Sequence, residues 1–167
     1  MNPTPTHILV VEDEPIVALD LQQRLEKMGY RVPSVVATGE AAIAAAVSER
    51  PQLVLMDISL AGPMDGVEAA EQITNQLRVP VVFLTAFSND QTLERAKLAE
   101  PYGYLLKPFE ERELQTTIEV ALYKHKAEQA LREAHDELEL RVAERTAELQ
   151  QTNEALQREI AERTQRD

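Results

Sequence analysis

Four polar residues in this chain each close a short apolar run. Ile8-Leu9-Val10-Val11 leads into Glu12-Asp13-Glu14, and Leu53-Val54-Leu55-Met56 into Asp57. Val81-Val82-Phe83-Leu84 leads into Thr85, and Tyr104-Leu105-Leu106 into Lys107-Pro108. Runs so short and so apolar read as strands buried on both faces of a parallel sheet. If the strands are parallel, their endings meet at the carboxyl edge, where open α/β folds bind ligands. Asp13 and Asp57, with Glu12 or Glu14, then offer hard oxygen donors. Such a set suits magnesium, which takes one or two carboxylates plus waters. With no cysteine and no histidine cluster, zinc is disfavoured. Lys107 is a point cation able to pair with Asp57 or with a phosphoryl oxygen. Thr85 offers a hydroxyl to the same oxygens. Together they read as a site for phosphoryl transfer to a carboxylate, with nucleophile, metal and charge clamp. Taken singly, each residue serves equally well as a cap, a turn former or a surface charge. Their joint placement is what carries the chemistry.

The elements that must position these residues follow from periodicity and punctuation. Residues 1–6 read as a disordered leader, and the first strand as 7–11. Pro15 suits the first turn of a helix, with Ile16, Val17, Leu19, Leu21, Leu25 and Met28 as its apolar face and Gly29 ending it. A second strand is expected over 30–36, weakened by Pro33. A helix then begins at Thr38 or Gly39, its alanines implying close packing, and Arg50-Pro51 ends it. The loop 58–66 is rich in turn formers. The third helix should turn Val67, Ala69, Ala70, Ile73 and Leu77 inward, and a fourth strand covers 80–84. Ser88-Asn89-Asp90-Gln91 has capping-box spacing, so a fourth helix should start at Asn89 or Asp90 and run to about Glu100. The fifth strand is expected at 103–106, and a fifth helix from Glu110 with Leu114, Ile118 and Leu122. Five strands alternating with five helices specify a doubly wound parallel α/β sheet.

The fifth helix has no stop signal. From Glu111 to Asp167 there is no Gly and no Pro, and beyond about Lys124 the composition is that of a long exposed helix. Val142, Leu149 and Leu156 are seven apart, and Thr146, Asn153 and Ile160 follow each by four. Read as heptad d and a positions, they form a coiled-coil seam, in which Asn153 favours a parallel dimer in one register. Leu131 and Leu138 extend the seam. The step from Leu138 to Val142 is a four-residue stutter, which locally unwinds a supercoil. The competing reading is a solvated single helix laced with charge pairs.

The whole chain, 167 residues with a net charge of −12, holds one domain and an appendage. That charge argues against nucleic-acid binding, and no helix-turn-helix follows Lys124. Disulfides are excluded by the absence of cysteine. No signal peptide and no membrane span are visible, which points to the cytoplasm. The lack of a GxxxxGK[ST] loop argues against direct ATP use.

The stretches Ile8-Leu-Val-Val-Glu-Asp-Glu-Pro15, Leu53-Val-Leu-Met-Asp57, Met64-Asp-Gly66, Phe83-Leu-Thr-Ala86 and Gly103-Tyr-Leu-Leu-Lys-Pro-Phe109 resemble the receiver domain of two-component response regulators, a flavodoxin-like fold, over about residues 7–125. The resemblance implies that Asp57 accepts a phosphoryl group from a histidine of a partner kinase or phosphotransfer protein. It implies Asp13 and Asp57 as magnesium ligands, the main-chain carbonyl of Ser59 completing the protein set and Glu12 acting through water. It further implies Lys107 as the family's lysine, Thr85 as its switch hydroxyl, Tyr104 as its rotating aromatic and a cis Lys107–Pro108 bond. The loop 58–66 is one residue longer than the commonest receiver pattern, and its proline follows Gly62. Residues 138–149 and 153–160 resemble signalling linkers that precede sensor or kinase modules, so residues 126–167 are expected to be a dimerising output helix within a longer protein. Beyond its own phosphorylation and dephosphorylation no enzyme activity is expected. Two other readings are a constitutive dimeric scaffold with a vestigial receiver and an aspartate-based phosphohydrolase. Against the second, the position two residues after Asp57 is Ser59 rather than a second aspartate.

Overall fold

The computed structural model describes residues 4–86 and 90–166. Its elements are β1 (Ile8–Val11), α1 (Pro15–Lys27), β2 (Val35–Val36), α2 (Gly39–Glu49), β3 (Leu53–Asp57), α3 (Gly66–Leu77), β4 (Val81–Thr85), α4 (Asp90–Leu98), β5 (Gly103–Leu106) and α5 (Glu111–Arg166). The strands form one parallel sheet in the order β2-β1-β3-β4-β5. This is the flavodoxin-like doubly wound topology, whose ligand crevice lies outside the carboxyl ends where the strand order reverses. The chain divides into two compact units, Met1–His125 and Lys126–Asp167.

Strand alternation sorts the core into two layers. Leu9, Val11, Val54, Met56, Val81 and Phe83 face a layer built with Ala42, Ala46, Ile73 and Ala96 of α2, α3 and α4. Ile8, Val10, Leu53, Leu55, Val82, Leu84 and Leu105 face the other, with Leu21 and Leu25 of α1 and Leu114 and Ile118 of α5. Ala42 and Ala46 are fully buried, so the alanine run of α2 does serve close approach to the sheet. Polar groups punctuate the helices. Thr38 caps α2 through Ala41 N–H at 3.1 Å, and Asp65 caps α3 through Glu68 N–H at 2.9 Å. Arg50 and Arg78 close α2 and α3 in the left-handed region, and Gly29 follows α1 at φ +95°.

Two expectations need correction. The second strand is not 30–36 but Val35–Val36, preceded by an isolated bridge between His7 and Arg31. Arg31 lies opposite His7 and Val35 opposite Val10, so four steps of one strand cover three of the other. A bulge around Pro33, which has no N–H to give to a ladder, is the cause. The apolar face of α1 is also narrower than expected. Ile16 is 85% and Leu19 55% exposed, while Ala18, Leu21 and Leu25 are buried. A helix on one side of a sheet buries a single stripe, and Ala18 occupies the place where larger neighbours seemed to belong. Of residues 1–6, 1–3 lie outside the described residues, and the Thr6 carbonyl accepts a 2.9 Å hydrogen bond from Arg31 N–H. The Ser88-Asn89 part of the expected capping box also lies outside them.

One backbone approach controls the carboxyl edge. Gly66 N–H donates to the Ile58 carbonyl at 3.0 Å, and a Cβ on Gly66 would stand 2.0 Å from the Asp57 carbonyl oxygen. No side chain fits there, so α3 starts against the strand that carries Asp57 only because residue 66 is glycine. Gly66→Ala should cost on the order of 3 kcal/mol of unfolding free energy in urea titration; an unchanged midpoint would show that the α3 start yields easily.

Candidate functional site

Alternation along the strands decides which polar endings meet. Glu12 continues the parity of Ile8 and Val10, Asp57 that of Leu53 and Leu55, and Lys107 that of Leu105, all residues of the layer shared with α1 and α5. The ladder persists one residue past β1 and β5, through Glu12 N–H to the Val36 carbonyl at 2.9 Å and Lys107 N–H to the Thr85 carbonyl at 2.8 Å. Hence three side chains from three strands converge. Lys107 Nζ donates to Glu12 Oε2 at 2.8 Å and to Asp57 Oδ2 at 3.1 Å. Glu12 is only 2% and Asp57 6% exposed. The other Asp57 oxygen, Oδ1, accepts from Ser59 N–H at 3.0 Å. Carboxylate oxygens of Glu12, Asp13 and Asp57 all lie within 4.8 Å of one another. Between Glu12 and Glu14, either of which could have joined this set, the structure turns Glu12 inward and leaves Glu14 exposed.

Thr85 and Tyr104 fall on the opposite parity. Thr85 follows Val81 and Phe83, and Tyr104 packs with Phe83, ring centroids 6.2 Å apart, against the layer of α2, α3 and α4. The Thr85 hydroxyl donates to the Ala86 carbonyl at 3.1 Å. Among the described residues it makes no hydrogen bond to Asp57 or Lys107. The Lys107–Pro108 bond is cis.

The electrostatics follow from burial. Desolvation pushes the Glu12 carboxyl up to about 7; the hydrogen bond from Lys107 opposes this, and the nearby Asp57 charge adds to it. Burial pulls the Lys107 ammonium down, but its hydrogen bond to Glu12 and the charge of Asp57 outweigh that, and its pKa lies above the ordinary lysine value. Burial alone raises the Tyr104 phenol. The donor set is all oxygen, with three carboxylates and a single ammonium facing them. Its chemistry fits a hard divalent ion, which would add the positive charge that one lysine cannot supply to three acids.

Sequence reasoning quoted Gly66 and Asp65 without giving either a part in the site. Asp65 caps α3 and pairs with Arg95 of α4 at 2.9 Å. Gly66 is what lets that helix begin against Asp57. The signal available was the Asp-Gly pair immediately before a helical apolar pattern, a capping position followed by a residue without Cβ.

A doubly wound sheet with a lysine-bridged acidic cluster at its carboxyl edge defines a flavodoxin-like α/β protein. The chain belongs to the response regulator receiver domain family, whose model matches residues 8–119. It is 36% identical over 118 residues to the transcriptional regulatory protein PdtaR of Mycobacterium tuberculosis, a match covering 71% of this chain and 57% of that protein. It is also 36% identical over 132 residues to the phyllosphere-induced regulator PhyR of Methylorubrum extorquens, covering 78% of this chain and 48% of that one. The chain thus spans about half the length of the curated relatives it matches. Among solved structures, the signal receiver domain of a modulated diguanylate cyclase from Desulfovibrio desulfuricans is 38% identical, with a TM-score of 0.72, over 75% of this chain and 99% of that one. The receiver domain of a sensor histidine kinase of Pseudomonas aeruginosa, solved with a magnesium ion in its active-site cleft, is 34% identical, with a TM-score of 0.65, over 71% and 98%.

The raised Glu12 pKa has a sign that can be tested. The folded protein holds this proton up to about pH 7, well above the ordinary carboxyl value of 4.5. The associated stability is present below the unfolded pKa and is lost as pH rises through the folded one. In chelator, the wild type should lose more stability than Glu12→Gln between about pH 5 and about pH 8, read from urea midpoints. Parallel curves for the two proteins would remove Glu12 as the titrating group.

Proposed function

We propose that this chain is a phosphorelay receiver. Asp57 takes a phosphoryl group from a histidine of a kinase or phosphotransfer protein, and the change passes through a parallel dimeric coil to a downstream module. The observation that carries the reading is the single ammonium of Lys107 bridging two nearly buried carboxylates from different strands. A structural ion pair needs one acid; a second acid, and a third within 4.8 Å, are donors in excess of what the fold requires.

In this reading the N–P bond of phosphohistidine breaks as a bond forms between phosphorus and an Asp57 carboxylate oxygen, and the imidazole leaves as the neutral base once protonated. Ser59 N–H and Lys107 hold the two Asp57 oxygens, so the nucleophile is oriented before the donor arrives. Lys107 can then stay with the transferred group, as a cation suited to its oxygens. Asp13, Asp57 and the Ser59 carbonyl would hold magnesium, with Glu12 acting through water. That ion would supply charge neutralisation for the phosphoryl oxygens. Thr85 and Tyr104 lie on the neighbouring face, and their rearrangement is the switch we assign to the face of α4, β5 and α5. Release of the phosphoryl group to water would be the chain's only other chemistry.

For the coil, the supporting observation is a row of exposed large apolar residues along α5: Leu131, Leu138, Val142, Leu149, Leu156 and Ile160. Water-facing rows of this length call for a partner helix. With Thr146 and Asn153 at intervening core positions, the polar layer selects register and a two-stranded state. The stutter between Leu138 and Val142 is where a change of rotation can be absorbed. No described helix is long and apolar enough to cross a membrane. The net charge of −12 supports a protein rather than a nucleic-acid partner.

With magnesium and a small-molecule phosphodonor, intact mass should rise by one phosphoryl group, and Asp57→Asn should abolish the rise. Modification that survives Asp57→Asn would overturn the site assignment. Light scattering should give a dimer with and without beryllofluoride, since association resides in the coil. A monomer that pairs only when beryllofluoride occupies Asp57 would move association to the receiver.

A further inference from the structure

The loop between β3 and α3 carries Ser59, whose N–H holds Asp57 Oδ1 at 3.0 Å. Its ends are fixed by the backbone. Ile58 N–H donates to the Leu84 carbonyl at 3.1 Å, and Gly66 N–H to the Ile58 carbonyl at 3.0 Å. Between these ends Ser59, Ala61, Gly62 and Pro63 are exposed. Leu60 and Met64 are half-buried and pack against the core layer of α2, α3 and α4. Met64 also meets the backbone of α2. A Cβ on Gly39, the first residue of that helix, would stand 2.9 Å from Met64 Cγ, 3.0 Å from Sδ and 3.2 Å from Cβ. Three consecutive side-chain atoms thus lie along the bare start of α2. An added methyl would meet the root of the methionine rather than its flexible end, so relief has to come from the loop backbone. The α2 side is held. Thr38 caps it through Ala41 N–H at 3.1 Å, and the Thr38 carbonyl accepts from Ala42 N–H at 3.0 Å. Alanine is ordinarily the better helix residue, so the missing Cβ serves the contact and not the helix.

We propose that Met64, seated in the notch that Gly39 leaves at the start of α2, is a positioning residue for the phosphoryl site. The inference rests on the receiver reading above and deepens it. Met64 touches none of the reacting groups. It ties the exposed part of the loop to α2 and so steadies Ser59, whose N–H orients Asp57 and whose carbonyl that reading assigns to the metal. With the tether gone, the exposed run from Ala61 to Pro63 is free to move and Ser59 loses its support on that side. Contacts that orient a metal ligand are worth roughly ten- to a hundredfold in metal affinity, and a misplaced nucleophile loses rate by a similar factor. Methionine suits the task, because an unbranched thioether fills a narrow, irregular notch.

Three readouts on the full chain separate positioning from folding: magnesium affinity by calorimetry, the rate of phosphorylation by a small-molecule phosphodonor, and the urea midpoint in chelator. Gly39→Ala should weaken magnesium binding about tenfold and slow phosphoryl uptake. Its urea midpoint should hold, since alanine favours the helix and the exposed loop can move outward. Met64→Ala should weaken binding to a similar extent. Met64→Leu, which keeps most of the side-chain volume, should restore the wild-type affinity. Two substitutions that act through one contact are not additive, so Gly39→Ala should cause no further loss in the Met64→Ala background. A second tenfold loss there would place the effect in α2 itself and overturn the inference. Wild-type affinity in Gly39→Ala would overturn it as well. So would a urea midpoint of Gly39→Ala that falls in step with its affinity, because the contact would then be packing alone. If the unsubstituted chain takes no phosphoryl group on Asp57, the receiver reading fails before any change at residue 39 or 64, and the inference falls with it.

Discussion

Everything at the carboxyl edge depends on one ammonium placed between two acids. Glu12 and Asp57 are both almost free of water, and two such carboxylates cannot both stay charged side by side without a cation. Lys107 supplies it from two strands away from Asp57 and three from Glu12, since β4 lies between β5 and β3 and β1 lies beyond β3. With strands about 4.8 Å apart, only a long unbranched side chain spans that gap. The crossing is open because Thr85, at the end of the intervening strand, belongs to the opposite parity. A site made this way is sensitive to charge as much as to shape. Any group that brings negative oxygens to Asp57 changes what Lys107 must balance.

This parity also divides the labour between the two faces of the sheet. The face toward α1 and α5 holds the charges. The face toward α2, α3 and α4 holds Phe83, Tyr104 and Thr85. One backbone hydrogen bond joins the two faces, from Lys107 N–H to the Thr85 carbonyl; within the second face, the cap residue Asp65 joins the start of α3 to Arg95 of α4. That second link is an exposed ion pair of the kind worth at most about 1 kcal/mol. Such a contact can be given up without unfolding anything.

Much of this was legible in the residues. Buried parallel strands announce themselves as apolar runs, and their polar terminators name the edge, so Asp57, Asp13, Glu12 and Lys107 could be grouped before any coordinates. What stayed hidden has physical reasons. The α1 face was read too wide because Ile16 and Leu19 are apolar, whereas the helix buries the stripe of Ala18, Leu21 and Leu25; residue type cannot show which of two adjacent stripes meets the sheet. The second strand was read too long because a bulge depends on the partner strand, and a partner is not encoded locally. Gly66 was visible as a turn residue, but its meeting with the Asp57 carbonyl is a tertiary contact.

The brevity of β2 has a consequence for how copies of this protein can meet. It stands at one margin of the sheet with two residues in the ladder, preceded by a bulge and a proline. A foreign strand seeking to add there would find almost no run of free backbone donors and acceptors to template on. Sheet-to-sheet fibre growth and strand exchange are thereby discouraged at that margin, even though the neighbouring strands are as apolar as any aggregation-prone segment. The polypeptide keeps its most adhesive sequences, β1, β3 and β4, in the middle of the sheet.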